Sequence, residues 1–141
     1  MLSLIACGGA SPTATATSSP SPSPSAYPST PAKPITSIQM TRLVASDGSA
    51  SSPTTVFDSA QDQQVVAVLS LPNLDAGTKI SYTRYLNGKY VNSKSAALKK
   101  KAKYFYITFK PTPGERFTPG SYRMKFYVNE KSAGEITYQI N

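Results

Sequence analysis

The sequence predicts an all-β fold, an antiparallel β-sandwich of seven or eight strands over residues 35–141 that is preceded by a disordered linker. Three observations predict it. Apolar and polar residues alternate with a period of two through most of this region, as in strands with one buried face. Gly, Pro, Asn and Ser turns separate the alternating segments at short intervals. No segment shows the period of an amphipathic helix.

The first half of the domain contains one strong strand signal and two weaker ones. A first strand is predicted within residues 35–45, with Ile38 and Met40 facing inward. A short piece is predicted at Val56 and Phe57. Residues 64–71 form a nearly continuous apolar run, which is typical of a central strand.

A hairpin is predicted in the middle of the domain. Residues 79–86 alternate, and they place Ile80, Tyr82 and Leu86 on one face. Asn87-Gly88 follows directly and is the strongest short hairpin signal, because both residues accept a positive φ. Residues 89–96 are therefore expected to form the return strand.

Three more alternating segments complete the predicted sandwich, joined by short connections that are antiparallel throughout. They are residues 104–110, 122–128 and 133–140, with a turn at 129–132. Their expected inward residues are Phe105, Ile107 and Phe109, then Tyr122, Met124, Phe126 and Val128, then Ile136, Tyr138 and Ile140.

The segment Pro-Gly-Ser-Tyr-Arg-Met-Lys-Phe-Tyr-Val at residues 119–128 resembles the penultimate strand of bacterial immunoglobulin-like domains. The resemblance covers about 25 residues and implies an immunoglobulin-like sandwich. It also implies that Tyr122 is a tyrosine corner, whose phenol hydrogen-bonds back to the preceding loop. The Cys pair and core Trp of antibody domains are absent from the sequence.

The N-terminus carries a separate signal. Leu4-Ile5-Ala6-Cys7 resembles the lipobox of bacterial lipoproteins, in which the Cys thiol accepts diacylglycerol. Only six residues precede Cys7 and none is basic, so residues 1–7 are interpreted as a truncated signal peptide and lipobox, either because the start codon is placed too late or because the signal was trimmed. The resemblance implies lipidation at Cys7, attachment to a lipid bilayer, and a location on the extracytoplasmic face of the cell membrane.

Residues 8–34 are expected to be a disordered stalk. They are rich in Ser, Thr and Pro, and seven of the 12 prolines lie between Pro12 and Pro34. Such a segment cannot bury enough apolar surface to offset the entropy of ordering it. Its prolines favour extended conformations, which suits a spacer between a membrane and a folded domain.

Charge suggests an anionic partner for the folded part. The chain has 15 Lys and Arg residues against seven Asp and Glu, a net charge of +8. Four lysines cluster just before a predicted strand, at Lys99, Lys100, Lys101 and Lys103. This run fits an anion-binding loop, but it also fits a solvated loop whose charges discourage strand pairing at a sheet edge.

The late strands add basic and aromatic side chains on the face that is expected to point outward. Arg123, Lys125 and Tyr127 share that face, and Tyr104 and Tyr106 join it if the two strands pair. Tyr offers a large amphipathic contact area, although it is also simply a good strand former. The candidate ligand-binding residues are therefore Lys99, Lys100, Lys101, Lys103, Arg123, Lys125 and Tyr127.

Catalysis is not indicated. The sequence has no His and one Cys, which removes Ser-His-Asp and Cys-His catalysis and most zinc chemistry. The carboxylates are scattered, although Asp58 and Asp62 could share a calcium ion. We expect no enzyme activity, no cofactor and no metal.

Two functions fit these features. The first is a membrane-anchored, extracytoplasmic binding or adhesion module that presents a basic, Tyr-rich sandwich to an envelope protein or an anionic polymer. The alternative is a structural or accessory subunit of an envelope or secretion complex. Export argues against nucleic acid as the partner.

Overall fold

The computed structural model describes residues 33–72 and 74–141, and all regular structure in them is β. Ten strands follow in chain order: β1 (Ser37–Thr41), β2 (Leu43–Val44), β3 (Ala50–Ser51), β4 (Val56–Phe57), β5 (Val65–Ser70), β6 (Lys79–Leu86), β7 (Lys89–Ala97), β8 (Tyr104–Phe109), β9 (Gly120–Val128) and β10 (Lys131–Ile140). The expected lipidation site Cys7, the signal at 1–7 and almost all of the stalk at 8–34 lie outside the described residues. No helix in the described part has the length and hydropathy of a membrane span.

The strands form a sandwich of two main sheets. One sheet has three strands in the order β1-β5-β8, and the other has five in the order β4-β10-β9-β6-β7. The fold class is therefore the predicted all-β sandwich, and its arrangement is immunoglobulin-like. The sequence predicted antiparallel pairing throughout. One pair departs from this prediction, because β4 runs parallel to β10.

The inner faces of the two sheets meet in one apolar core. All four inward residues predicted for β9 are buried, and so are Tyr138 and Ile140 of β10. The largest fully buried side chains include Tyr138, Phe57, Phe126, Met40, Leu69, Leu71, Ile80, Met124 and Ile140. Period-two alternation therefore predicted the inward faces of these strands correctly.

The tyrosine corner implied by the immunoglobulin resemblance is present. The Tyr122 hydroxyl donates a 2.8 Å hydrogen bond to the Thr118 carbonyl in the preceding loop. Gly120 begins β9 with a φ of +148°, and a Cβ there would lie 2.5 Å from Cδ1 of Leu86. The positive φ favours glycine here, and the Asn87 turn packs against this strand start, with Asn87 N donating to Ser121 O at 2.8 Å.

The sequence predicted the turn at Asn87-Gly88 correctly, but it predicted a longer turn after β9 than the structure has. Asn87 and Gly88 have φ values of +49° and +80° and close the predicted β6–β7 hairpin. The turn expected at 129–132 is shorter, because only Asn129 and Glu130 adopt positive φ. Strand β10 consequently begins at Lys131, with a register shift between Ser132 and Gly134.

The predicted first strand at 35–45 is split in two. The buried Thr41 hydroxyl accepts from Leu43 N at 3.2 Å and donates to the Ser51 carbonyl. Such local side-chain bonds compete with the strand ladder and end β1 at Thr41. The chain then forms the small β2–β3 hairpin, which the sequence did not indicate.

Candidate ligand-binding face

Strand β9 crosses the middle of the five-stranded sheet and separates the core from the solvent face. Because alternate residues point to opposite sides, its inward residues are buried while Arg123, Lys125 and Tyr127 lie on the outer face. Arg123 is exposed, and Lys125 and Tyr127 are half-buried. The outward placement predicted for these three residues is what the structure has.

An aromatic ring on the neighbouring strand gathers the two cations. Tyr85 of β6 lies directly opposite Arg123 in the sheet register. The Arg123 guanidinium carbon lies 5.2 Å from the centroid of the Tyr85 ring, and the Lys125 ammonium nitrogen lies 5.9 Å from it. Cations at this distance are attracted by the negative face of the ring, so the Tyr85 ring helps to position the Arg123 and Lys125 side chains.

A second ring extends this surface towards the edge of the sheet. Tyr90 of β7 is the register partner of Tyr85, and the two centroids are 6.4 Å apart with the rings nearly perpendicular. Tyr90 is 62% exposed, and its hydroxyl lies 3.1 Å from Ser93 Oγ. We call Tyr85, Tyr90, Arg123 and Lys125 the Tyr85 cluster.

The cations of the Tyr85 cluster have no carboxylate partner within the described residues. The two ion pairs there are Arg42–Asp62 and Lys79–Glu130, elsewhere in the domain. Glu135 lies opposite Lys125 across the β9–β10 pair, yet it forms no ion pair with Lys125. Arg123 and Lys125 thus keep their hydrogen-bond donors available to a ligand.

Tyr127 shares the outer face but not the cluster. Its register partners are Ser81 of β6 and Ser132 of β10. It stands four residues along β9 from Arg123, about 13 Å at strand spacing. Tyr127 therefore lies beyond direct reach of a small group bound at the Tyr85 ring.

The four lysines of the predicted anion loop lie in the connection between β7 and β8. All four side chains are exposed, while Leu98 before them is buried. The Lys103 ammonium nitrogen lies 5.4 Å from the Tyr104 ring centroid, and the Lys103 carbonyl accepts from Leu71 N at 2.7 Å. The loop is thus fixed at its C-terminal end and open to solvent along its length.

The structure separates the predicted site residues into two groups. The basic loop follows Ala97, which pairs with Lys79 at the start of β6. Tyr85 lies six residues after Lys79, towards the other end of β6. At strand spacing this is about 20 Å. A short ligand can contact only one group, while an extended polymer can span both.

Tyr104 and Tyr106 do not join the outer face of β9. Strand β8 pairs with β5 in the three-stranded sheet, so β8 and β9 are not neighbours. The two tyrosines occupy the outer side of the opposite sheet. They were expected to share one face with Arg123 only if β8 paired with β9, and that condition is not met because the two strands belong to different sheets.

Sequence reasoning missed Tyr85 and Tyr90, although a signal for them was present. Tyr85 stands two residues before Asn87 and Tyr90 two residues after Gly88, and a two-residue hairpin pairs such residues directly. The same pairing places them on the side opposite Leu86, which points towards the core. The hairpin prediction therefore already contained the aromatic half of the cluster.

Arg84 was also missed, and it points inward. Its guanidinium carbon lies 4.6 Å from the Phe109 ring centroid and 5.5 Å from that of Tyr122. Burial raises the pKa of Tyr138 to about 12, and the positive charge of Arg84 opposes that shift. Arg84 is half-buried and its guanidinium lies over aromatic faces on the inner side of the sheet, so it does not belong to the outer face.

The carboxylates considered for calcium are engaged in a turn. Asp62 accepts from Arg42 Nε at 2.6 Å and from Asp58 N at 2.7 Å, while Asp58 Oδ1 accepts from Ala60 N at 2.7 Å. Burial acts to raise the pKa of Asp62, but the bonds from Arg42 and Asp58 outweigh it and lower the pKa overall. No cluster of three metal-ligating residues occurs at 33–72 or 74–141.

Comparison with known proteins bears on the fold. No protein-family model matches the sequence, and no curated protein matches it. An immunoglobulin-like protein from Pseudomonas aeruginosa has a similar structure, with a TM-score of 0.50 and 13% identity over 74% of this chain and 92% of that one.

Two carbohydrate-active enzymes contain a more distantly similar part. A family 76 glycoside hydrolase from Bacteroides thetaiotaomicron gives a TM-score of 0.40 at 8% identity over 77% of this chain. A β-glucosidase from Listeria innocua gives 0.37 at 12% identity over 74% of this chain. The chain spans 20% and 16% of the length of these two enzymes. The likeness to the Pseudomonas aeruginosa protein shows the immunoglobulin-like fold and no more than the fold.

Proposed function

We propose that this chain is a membrane-anchored, extracytoplasmic binding module that holds an anionic envelope polymer on the outer face of its five-stranded sheet. The single observation that supports this function is the Tyr85 cluster. It brings one exposed and one half-buried cation together with two aromatic rings on one solvent face, and neither cation has a carboxylate partner at residues 33–72 or 74–141. The module has no catalytic role and needs no cofactor.

The chemistry of the cluster suits a charged glycan or a polyol phosphate. Arg123 offers a planar fork of donors that matches carboxylate and phosphate oxygens, and Lys125 adds a second positive charge. The Tyr85 and Tyr90 rings offer flat amphipathic surfaces for the carbon skeleton of the ligand. A polymer can combine these contacts repeatedly, which a single small anion cannot.

The basic loop has a different role in this proposal. Lys99, Lys100, Lys101 and Lys103 attract an anionic chain without fixed contacts, because their side chains are exposed and have no ion-pair partner in the described part. Such attraction is screened beyond about 8–10 Å at physiological salt. The loop should therefore raise the encounter rate more than it lengthens the bound lifetime.

Binding by the Tyr85 cluster can be tested with a matched pair of variants. Arg123→Ser/Lys125→Ser removes the cations of the cluster, and Arg116→Ser/Lys131→Ser removes one Arg and one Lys that are exposed elsewhere. Both variants lower the net charge equally. Affinity for teichoic acid, measured at several ionic strengths, should fall about tenfold or more in the first variant and much less in the second.

A third variant separates the loop from the face. Replacing Lys99, Lys100, Lys101 and Lys103 with Ser should weaken binding mainly at low salt, where long-range attraction matters most. Equal losses in the cluster variant and its matched control would mean that charge alone drives binding. Absence of binding by wild type at about 0.15 M salt would reject a polymer ligand and leave an acidic protein surface as the partner class.

The anchor is a separate part of the proposal and rests on the Leu4-Ile5-Ala6-Cys7 motif. Cys7→Ala, in a gene that supplies a complete signal peptide, should release the protein from membranes into the soluble fraction. A diacylglycerol supplies two acyl chains, which is what stable anchoring requires. Cys7→Ser with the same outcome would exclude an effect of the alanine itself. A variant that still sediments with membranes would reject lipid anchoring at Cys7.

A further inference from the structure

The side of the sandwich between β7 and β8 is open. Within residues 33–72 and 74–141, β7 pairs only with β6 in the five-stranded sheet, and β8 pairs only with β5 in the three-stranded sheet. Residues of both edge strands line one cleft, so the two edges lie on the same side of the sandwich, where the basic loop joins them. Strand β7 has nine residues, a long edge for a domain of this size.

The backbone of β7 presents hydrogen-bonding groups along this edge. Leu98 N donates to Thr78 O at 2.9 Å, so the amide of Leu98 points towards β6. Amide directions alternate along a strand, which turns the amides of Ser93 and Ser95 away from β6 and into solvent. These groups are available to a further strand that pairs with β7.

An apolar cleft lies directly behind this edge. It has a volume of about 190 Å³ and is lined by Ile80, Tyr82, Phe105 and Ile107, together with Lys94, Ser95, Ala96 and Thr108. Phe105 and Ile107 point towards the core but remain half-buried. The small side chain of Ala96 leaves the cleft open beside the edge, so an apolar side chain from a paired strand can enter it.

Among the described residues, Lys94 is the one charged residue that lines the cleft, and Glu130, which adjoins β6 and β7 nearby, is paired with Lys79 at 3.3 Å. From residue 76 to residue 114 the sequence has nine Lys or Arg residues and no Asp or Glu. Lys94 is the register partner of the buried Tyr82, which places Lys94 on the inward side of the edge at the cleft. An inward-pointing charge on an edge strand disfavours pairing with an identical strand, because two such edges would bring like charges together.

We propose that the β7 edge is a docking site for an extended acidic segment of a partner protein, which adds a strand to the five-stranded sheet. The geometry defines a recognition motif. The residue opposite Ala96 is apolar and enters the cleft, and the residue opposite Lys94 is acidic. These two positions are two residues apart on the partner strand, because alternate side chains face the same way.

The proposal can be tested by charge reversal with the full chain. The probe is a seven-residue capped peptide, Thr-Thr-Leu-Thr-Glu-Thr-Thr, titrated by NMR or calorimetry against wild type and Lys94→Glu. Replacing Glu with Gln should weaken binding to wild type about fivefold, the effect of one partly exposed ion pair. Replacing Glu with Lys should restore binding to Lys94→Glu and abolish binding to wild type.

Two controls separate strand pairing from charge attraction. Lys89→Glu makes the same charge change at an exposed position near the β6–β7 turn and should leave peptide binding unchanged. Ser95→Pro removes one outward amide without removing a bond to β6, and should weaken binding of every peptide. If Ser95→Pro does not fold, the charge-swap series still decides the question.

Several outcomes would overturn the proposal. One is that wild type binds the Glu and Lys peptides equally well. Another is that Lys89→Glu weakens peptide binding as much as Lys94→Glu does. A third is that wild type does not bind the peptide at about 1 mM. Concentration-dependent dimers that disappear in Ser95→Pro would show that a second copy of this chain occupies the edge. The polymer-binding variant Arg123→Ser/Lys125→Ser should bind the peptide normally, so the two proposals fail independently.

Discussion

Strands β5 and β7 belong to the same sandwich but have opposite environments. Every residue of β5 except Ser70 is buried, whereas every residue of β7 except Asn92 is exposed. Strand β5 is the middle strand of its sheet and β7 is the edge of the other. The comparison teaches that stability and ligand access are concentrated in different strands of this fold.

Sheet position alone does not explain why β5 is buried on both sides. Val66 and Val68 face away from the core, yet they are 1% and 2% exposed. The β2–β3 hairpin follows β1 after Thr41, which is the register partner of Val66. The turn of the hairpin at Gly48 lies against Tyr104, which is the register partner of Ser70 at the other end of β5. The hairpin therefore lies across the outer side of β5 and covers it.

The largest expected effect tests the comparison directly. Leu69→Ala in β5 should lower the free energy of unfolding by about 3 kcal/mol, because a fully buried side chain leaves a cavity in a packed core. Val91→Ala in β7 should cost less than about 0.5 kcal/mol, since Val91 is 39% exposed and lies at the register shift of that strand. Urea melts of both variants measure the difference, and similar losses would contradict the assignment of stability to β5.

A smaller effect is expected at the corner that fixes β9. Tyr122→Phe removes the hydroxyl that donates to the Thr118 carbonyl and leaves the ring stacked on Tyr138 at a centroid distance of 5.1 Å. We expect a loss of about 1–3 kcal/mol, the cost of leaving a part-buried carbonyl without its partner. Tyr85→Phe, on the outer face of the same sheet, is the matched control and should leave the denaturation midpoint unchanged.

The parts of this fold that could be predicted from sequence are those set by local chemistry. The Asn87-Gly88 turn, the apolar run of β5 and the alternation of β9 each depend on neighbouring residues. The β2–β3 hairpin has two-residue strands, which are too short to show a period. Its formation depends on the Thr41 hydroxyl and on contacts across β5, and neither is visible in a local pattern.

Local patterns also predicted part of the candidate ligand-binding face. Alternation placed Arg123 and Lys125 on the outer face, and hairpin register could have added Tyr85 as their aromatic partner. Tyr104 and Tyr106 would have joined that face only if β8 paired with β9, and these two strands belong to different sheets. Which strands become neighbours is a non-local property, so no pattern within either strand could have settled it.

The smallest expected effect concerns the turn that leads into β5. Asp62 accepts hydrogen bonds from Arg42 at the end of β1 and from Asp58 N, and thereby ties the start of β5 to the strand beside it. Asp62→Asn should cost about 1–2 kcal/mol at neutral pH, since it removes a charge-assisted bond whose Arg side is half exposed.

The pH dependence identifies the cause of that loss. Because the folded pKa of Asp62 is lowered from its ordinary value of 3.8, the carboxylate stabilises the fold above about pH 4. The stabilisation disappears as the pH falls through the folded pKa, where the carboxyl group binds a proton in both states. The free-energy difference between wild type and Asp62→Asn should therefore be full at pH 7 and shrink below about pH 4. Urea melts at pH 7 and pH 3 measure it, and a difference that is the same at both values would mean that the charge of Asp62 does not hold β5 in place.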